Sequence, residues 1–272
     1  MEWPLGRRCA FHGADFVEAL QAMDGREQAL AEAFDGQAAR FQRGPVQTDP
    51  VALARMVEFA ALPEESRVLD AGCGPGLVAE AFLAAGHRVY GVDLAGEMVR
   101  LARERCARFG ARARFEQGSI FQLAAEEPFD AAVSRFVVHH VADPVAFIRA
   151  KAERVRPGGV VLVSDHVTDP DGPAAHWHRE IERARDRTHE RSLTSGELVD
   201  GFARAGLSGI QLLEDGFELD FDEWFDRGTP ALPKEQVRAR LLAGRARGFD
   251  PHERPDGGIT VRCVRALVRG VR

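Results

Sequence analysis

Two acids and three glycines carry the first chemical signal. In Val68-Leu69-Asp70-Ala71-Gly72-Cys73-Gly74-Pro75-Gly76 an apolar run ends in an acid and passes into glycines at alternate positions. A helical pattern begins at once, with Leu77, Val78, Ala81, Phe82 and Leu83. A strand, a tight turn and a helix start of this kind let backbone approach a ligand and aim free helix N–H groups at it. A second acid, Asp93, closes the next apolar run, His87-Arg88-Val89-Tyr90-Gly91-Val92. An acid about 20 residues past the turn is placed to take two ribose hydroxyls. The turn is not a dinucleotide fingerprint. That pattern needs a third glycine where Leu77 stands, and Pro75 removes one N–H that a pyrophosphate cradle would use. Both points disfavour a nicotinamide oxidoreductase.

The pair VLDAGCGPG and GVDLAGEMV resembles the class I S-adenosylmethionine-dependent methyltransferases, and most nearly their small-molecule branch, which includes the ubiquinone/menaquinone-type enzymes. The segment His139-His140-Val141-x-Asp143-Pro144 also follows a pattern common in that family. The likeness runs from residue 34 to the C-terminus and is densest over 66–165. It implies an α/β fold: a doubly wound, mostly parallel, seven-stranded Rossmann-like sheet whose last strand is antiparallel. It also implies S-adenosylmethionine as cofactor and S-adenosylhomocysteine as product. By this resemblance Asp70 holds the methionine end, and Gly72, Gly74 and Gly76 give close backbone approach. Asp93 takes the ribose, and Leu94 and Met98 flank the adenine. Gly118, Ser119 and Ile120 stand at the adenine edge, while Ser134 and Arg135 line the methionine side through backbone groups. Ser119 departs from the family's usual Gly-Asp pair, so a hydroxyl without charge assistance would meet the adenine amino group.

A sulfonium cofactor carries its own leaving group, which leaves binding, alignment and water exclusion to the protein. In-line displacement makes orientation of the acceptor a major part of the rate. A phenol, carbon acid or thiol acceptor also needs a base. His139, His140 and His166 are the candidates, since they fall near the carboxyl ends of strands four and five, where ligands bind in open α/β sheets. A metal reading also exists, because His176, His178, Asp165 and His166 are enough ligands for zinc. Residues i and i+2 of a helix do not face one another, and no cysteine pair supports a site, so no metal is assigned.

Alternating strands and helices must position these groups. Strands are expected at about 66–71, 88–92, 112–116, 129–134 and 160–164, with helices between them. Residues 208–215 and 259–268 read as two further strands, an edge hairpin by the resemblance, with only helices between them. Phe16, Leu20, Met23, Leu30, Phe34, Ala38 and Phe41 recur at helical spacing over 15–41, with Gly25 as a break. One domain over 1–272 is expected. Residues 1–44 form a helical lid, 45–165 the cofactor-binding core, 166–193 a substrate cap, and 194–272 C-terminal helices with the hairpin. The crowding of Phe11, Phe16, Phe34, Phe41 and Trp177 in lid and cap favours a phenolic or quinone-like acceptor.

Composition narrows the field. Of 36 basic residues only Lys151 and Lys234 are lysines, which reads as coding bias. A net charge of −6 and a pI near 5.9 argue against a general nucleic-acid binder. The arginines from Arg100 to Arg114 are the one hint of an RNA methyltransferase, and they read better as a solvated face. No apolar run is long enough to span a membrane, and Met1–Arg8 lacks a signal core. Cys9, Cys73, Cys106 and Cys263 form no framework, which suits a reducing cytoplasm. A non-catalytic cofactor-binding module is the other alternative.

Overall fold

The computed structural model describes residues 24–124 and 127–272. The helical positions Phe16, Leu20 and Met23, like Cys9 and Phe11, lie outside the described residues. The first helices are α1 (Gly25–Asp35), α2 (Ala38–Phe41), α3 (Pro45–Thr48) and α4 (Pro50–Ala60). A regular alternation follows: β1 (Arg67–Ala71), α5 (Leu77–Ala84), β2 (Arg88–Asp93), α6 (Gly96–Cys106), β3 (Ala113–Gln117) and β4 (Phe129–Arg135). After α7 (Pro144–Arg154) come β5 (Val155–His166), α8 (Gly172–Arg185), α9 (Ser195–Arg204) and β6 (Ser208–Asp220). The chain ends with α10 (Phe221–Asp226), α11 (Lys234–Leu242), β7 (Phe249–Glu253) and β8 (Ile259–Val271).

Local chemistry fixes many of these boundaries. The Asp49 carboxylate accepts from Val51 and Ala52 N–H, with Pro50 at the first helical position of α4. Thr194 and Glu197 form a reciprocal capping box on α9. Gly86 takes φ 96° just past α5, where the chain must reverse into β2.

The sheet order is β3-β2-β1-β4-β5-β8-β6, with β7 also paired to β8. The pairs from β3 to β5 are parallel, and β8 runs antiparallel to β5 and to β6. Strand order reverses between β1 and β4, which opens a ligand crevice at their carboxyl ends. One face of the sheet is covered by Met56, Phe82, Leu83 and Val99 of α4, α5 and α6. The other is covered by Phe147, Ile148, Leu198 and Phe202 of α7 and α9. A third cluster of Ile181, Phe221, Trp224, Leu241 and Phe249 joins α8, α10 and α11 to the start of β8.

The sheet has eight strands among the described residues, one more than expected. The addition is β7, in a stretch expected to be helical. The C-terminal half of β8 lies between β5 and β6, whereas its first half runs past the end of β5. There β7 takes the vacated edge, with Phe249 opposite Cys263 and Glu253 opposite Ile259. Pro251 sits in the middle of this strand and is tolerated because the strand is at an edge. That proline, flanked by Asp250 and His252, hides the strand from any periodicity argument.

Candidate active site

The glycine turn and α1 enclose a cavity of about 340 Å³ over the carboxyl ends of β1, β2 and β4. Pockets for small molecules begin at about 300 Å³. Gly72 and Gly74 line it, with φ of 74° and 50°. A Cβ on Gly74 would meet no atom within 4 Å, so the cavity comes directly against its backbone. Gly76 is different. It does not line the cavity, and a Cβ there would stand 2.9 Å from Ala102 Cα. Its work is the close contact of α5 with α6.

Asp93 faces the cavity at the end of β2. Its carboxylate accepts from Gly74 N–H at 2.8 Å and from Ala95 N–H at 3.0 Å, which ties the turn to the acid. Burial pushes Asp93 up to about 6 against the pull of those bonds. Leu94 and Met98 line the same wall. Gly118, Ser119 and Ile120 line the cavity beside them, with Gly118 N–H donating to Asp93 O at 2.9 Å, and the Ser119 hydroxyl bonds the Glu27 carboxylate of α1. Glu27 therefore brings an acid to the position where the sequence lacks one. Sequence reasoning missed it, because a contact between positions 27 and 119 leaves no local signature.

Asp70 does not reach this cavity. It is buried behind the turn, and neither of its carboxylate oxygens finds a hydrogen-bond partner among the described residues. Burial raises it to about 7, while the Lys151 charge pulls the other way. Lys151 is itself fully enclosed and donates to Ser134 Oγ at 2.8 Å and to Leu162 O at 2.7 Å. The Ser134 side chain is thus turned into the core. Arg135 lines the cavity, and its guanidinium donates to Val46 O at 2.7 Å and Gln47 O at 2.9 Å. That contact holds α3 against the site.

Several contacts dock α1 over the cavity. Asp35 Oδ1 accepts from Glu97 N–H at 2.8 Å, capping the first turn of α6, whose own N-cap residue is Ala95. Ala38, with Phe34 and Phe41, packs on Met98 and Leu101. Arg26 donates to His140 O at 3.1 Å.

A second, smaller cavity of about 70 Å³ adjoins the first, and Phe41, Gln47, Phe136 and His140 line both. Phe136 takes φ 57°, an uncommon conformation for a bulky side chain and a local strain at the junction. His139, His140 and His166 all line the second cavity, so the three candidate bases are brought together.

Their environments differ. His139 Nδ1 lies 2.6 Å from Asp165 Oδ1, and a carboxylate can only accept, so Nδ1 donates. Asp165 Oδ2 is held by Val137 and Val138 N–H at 3.1 and 2.6 Å. Burial pulls His139 down, but the Asp165 charge and hydrogen bond outweigh it and leave the imidazole above its ordinary value. Burial and the His139 charge lower His140 to about 4. Burial and His178 lower His166 to about 4 as well, and its Nε2 is spent on Gly248 O at 2.7 Å.

Residues 47–212 match the family described as methyltransferase domain. The chain is 41% identical over 118 residues to the ubiquinone biosynthesis O-methyltransferase of Xanthomonas campestris pv. campestris, a match covering 43% of this chain and 49% of that protein. It thus spans about half the length of that curated relative. An uncharacterized methyltransferase of Bacillus subtilis, YcgJ, is 30% identical over 192 residues, covering 70% of this chain and 76% of that protein. The crystal structure of YcgJ superposes with a TM-score of 0.73 at 29% identity, over 82% of this chain and 98% of that one. A phosphoethanolamine N-methyltransferase of Haemonchus contortus in complex with S-adenosyl-L-methionine shares the fold at 15% identity and a TM-score of 0.59, over 97% of this chain and 60% of that one. A match over more than half its length, on the strands and the glycine turn that build the cavity, makes this chain a member of the methyltransferase domain family.

Proposed function

We propose that the protein transfers the methyl group of S-adenosylmethionine to a small organic acceptor by in-line displacement. The observation that carries this reading is the pair of adjoining cavities with shared lining residues: one walled by the glycine turn, Asp93 and Glu27, the other by histidines. Two features support the fit of the cofactor to the first. Space stands directly over Gly74, and two carboxylates line the cavity, Asp93 for ribose hydroxyls and Glu27 with Ser119 for an adenine amino group. When bound, the cofactor supplies an electrophilic methyl on a sulfonium leaving group. Arg135 and Phe136 fix the junction of the cavities, and α1 with α2 serves as the lid that excludes water. His139 is the base, with Asp165 as its orienting partner. Its free Nε2 takes the acceptor's proton.

The second cavity favours an aromatic acceptor with an ionisable hydroxyl, a phenolic or quinone-like metabolite. Phe41, Phe136, Phe217 and Trp224 line it beside the histidines. RNA as acceptor gains no support from the arginine cluster, which is engaged locally. Arg100 pairs with Glu97 and Glu104, while Arg105 and Arg108 pair with Glu80. No helix among the described residues is long and apolar enough to cross a membrane. A reducing cytoplasm is our reading of compartment, on the buried free thiols of Cys73, Cys106 and Cys263.

Calorimetric titration with S-adenosylhomocysteine, with NADH as control, tests the proposal. Saturable binding of the first and none of the second is expected, followed by turnover on a panel of phenols. Binding of NADH alone overturns the cofactor, and cofactor binding without turnover on any acceptor leaves a non-catalytic module.

A further inference from the structure

One wall of the second cavity carries a converging set of ligand atoms that methyl transfer does not require. His166 ends β5, and His178 and Glu182 stand four residues apart on one face of α8. All three are buried. Glu182 Oε1 lies 3.7 Å from His166 Nδ1 and 3.6 Å from His178 Nε2, beyond hydrogen-bond reach in both cases. One ligand atom from each of the three residues falls within 4.8 Å of the others.

The tautomer of His166 is decided by its other nitrogen. Gly248 O can only accept, so Nε2 carries the hydrogen and Nδ1 turns a lone pair toward the carboxylate. His178 Nδ1 lies 2.9 Å from Thr168 Oγ1, a hydroxyl that can donate or accept, while its Nε2 finds no hydrogen-bond partner among the described residues and is the nitrogen on the side of Glu182. Two ring nitrogens and an acid oxygen thus converge without a hydrogen bond between them, which leaves room for a cation among the three. Around a tetrahedral zinc with bonds of about 2.0–2.2 Å, neighbouring ligand atoms stand roughly 3.3–3.5 Å apart. The two separations from Glu182 Oε1, 3.7 and 3.6 Å, are within a few tenths of an ångström of that. A ring nitrogen held by a carbonyl or hydroxyl on its far side is also how metal-binding imidazoles are commonly oriented.

We propose that His166, His178 and Glu182 bind one divalent transition-metal ion of the zinc type. His166 and Glu182 line the second cavity and His178 lies behind them, so the remaining coordination position opens onto the cavity, toward the space we give to the acceptor. The ligand taken there is an oxygen of a small molecule or water. This assignment replaces the absence of a metal expected from the sequence, where the set considered was His176, His178, Asp165 and His166 and Glu182 was not included. His176 points to solvent, and the partner four residues on is Glu182. The site rests on its own ligand geometry, and its location at the acceptor rests on the reading above.

The test is metal content and affinity of the full chain. After removal of metal by a chelator and addition of Zn²⁺, one ion per chain is expected to survive gel filtration. Co²⁺ in its place should give the visible absorption of a four-coordinate N/O site. Glu182→Gln and His178→Gln should each lower Zn²⁺ affinity by at least about 100-fold, and Thr168→Ala by about 10-fold. Thr168→Ala keeps every ligand, so it stands in if a ligand variant fails to fold. S-adenosylhomocysteine titration of the same samples reports separately on the cofactor pocket. Failure of the wild-type chain to retain Zn²⁺, or unchanged affinity in Glu182→Gln and Thr168→Ala, overturns the site and leaves the methyl-transfer reading untouched.

Discussion

His139 Nδ1 donates to Asp165 Oδ1 across 2.6 Å, and the same carboxylate is pinned by the backbone N–H groups of Val137, Val138 and His166. The imidazole is therefore held in one tautomer and one orientation at the edge of the second cavity. Replacing it should slow turnover and leave cofactor binding alone. We expect His139→Gln to lower kcat by about 10²–10⁴-fold, the range for loss of a general base. Steady-state kinetics beside calorimetry checks this. A comparable loss of S-adenosylhomocysteine affinity would move His139 into the cofactor pocket instead.

Two of the three glycines of the turn, Gly74 and Gly76, should respond in opposite ways. Gly74→Ala adds a methyl group into the cavity and costs about 1–2 kcal/mol of backbone strain. It should fold and bind S-adenosylhomocysteine poorly. Gly76→Ala drives a methyl group against the backbone of Ala102, so its main loss should be in stability. Urea melts and titrations of both variants separate the two effects.

Glu27 should matter to a ligand that carries adenine. Glu27→Ala removes the carboxylate beside Ser119, and S-adenosylhomocysteine affinity should fall by about 1.5–3 kcal/mol, the range for hydrogen bonds to a charged group. Binding of a methionine analogue without the nucleoside should be unaffected, which a competition titration would show.

Asp93 sets a pH limit. Its carboxyl sits at about 6 in the free protein because burial opposes its charge, and two ribose hydroxyls need it ionised. Ligand binding therefore competes with a proton. Cofactor affinity should be flat above pH 7 and fall toward tenfold per pH unit below about 6, with proton uptake on release. Asp93→Asn should weaken binding and flatten this dependence. A steep acid limb that persists in Asp93→Asn would assign the titration elsewhere.

What could be read in advance was what the chain specifies locally. The turn from Asp70 to Gly76 sits between a buried strand and a helix start, and the caps at Asp49, Asp143 and Thr194 act within three residues. The boundaries of β1 to β4 followed from such signals. Distant contacts left no trace. Glu27 meets Ser119 across 92 positions, and Asp165 meets His139 across 26, so neither pairing has a spacing to recognise. Gly76 shows the reverse problem, because a glycine that serves a ligand and one that serves a helix contact look alike in sequence. In β7 the edge position makes Pro251 acceptable, yet pattern reading treats that proline as a break.

The enclosure of Lys151 makes it a clock. Among side chains the protein has only two primary amines, Lys151 and Lys234. Lys234 lies toward the surface between Asp222 and Asp226, whereas Lys151 is wholly inside, bonded to Ser134 and Leu162. Of these two side-chain amines an acylating reagent meets only Lys234 in the folded chain, which gives a single side-chain point for a dye or a support. Lys151 becomes reactive only when the sheet parts from α7, so its rate of acylation, followed by mass spectrometry, times the opening of the core under native conditions.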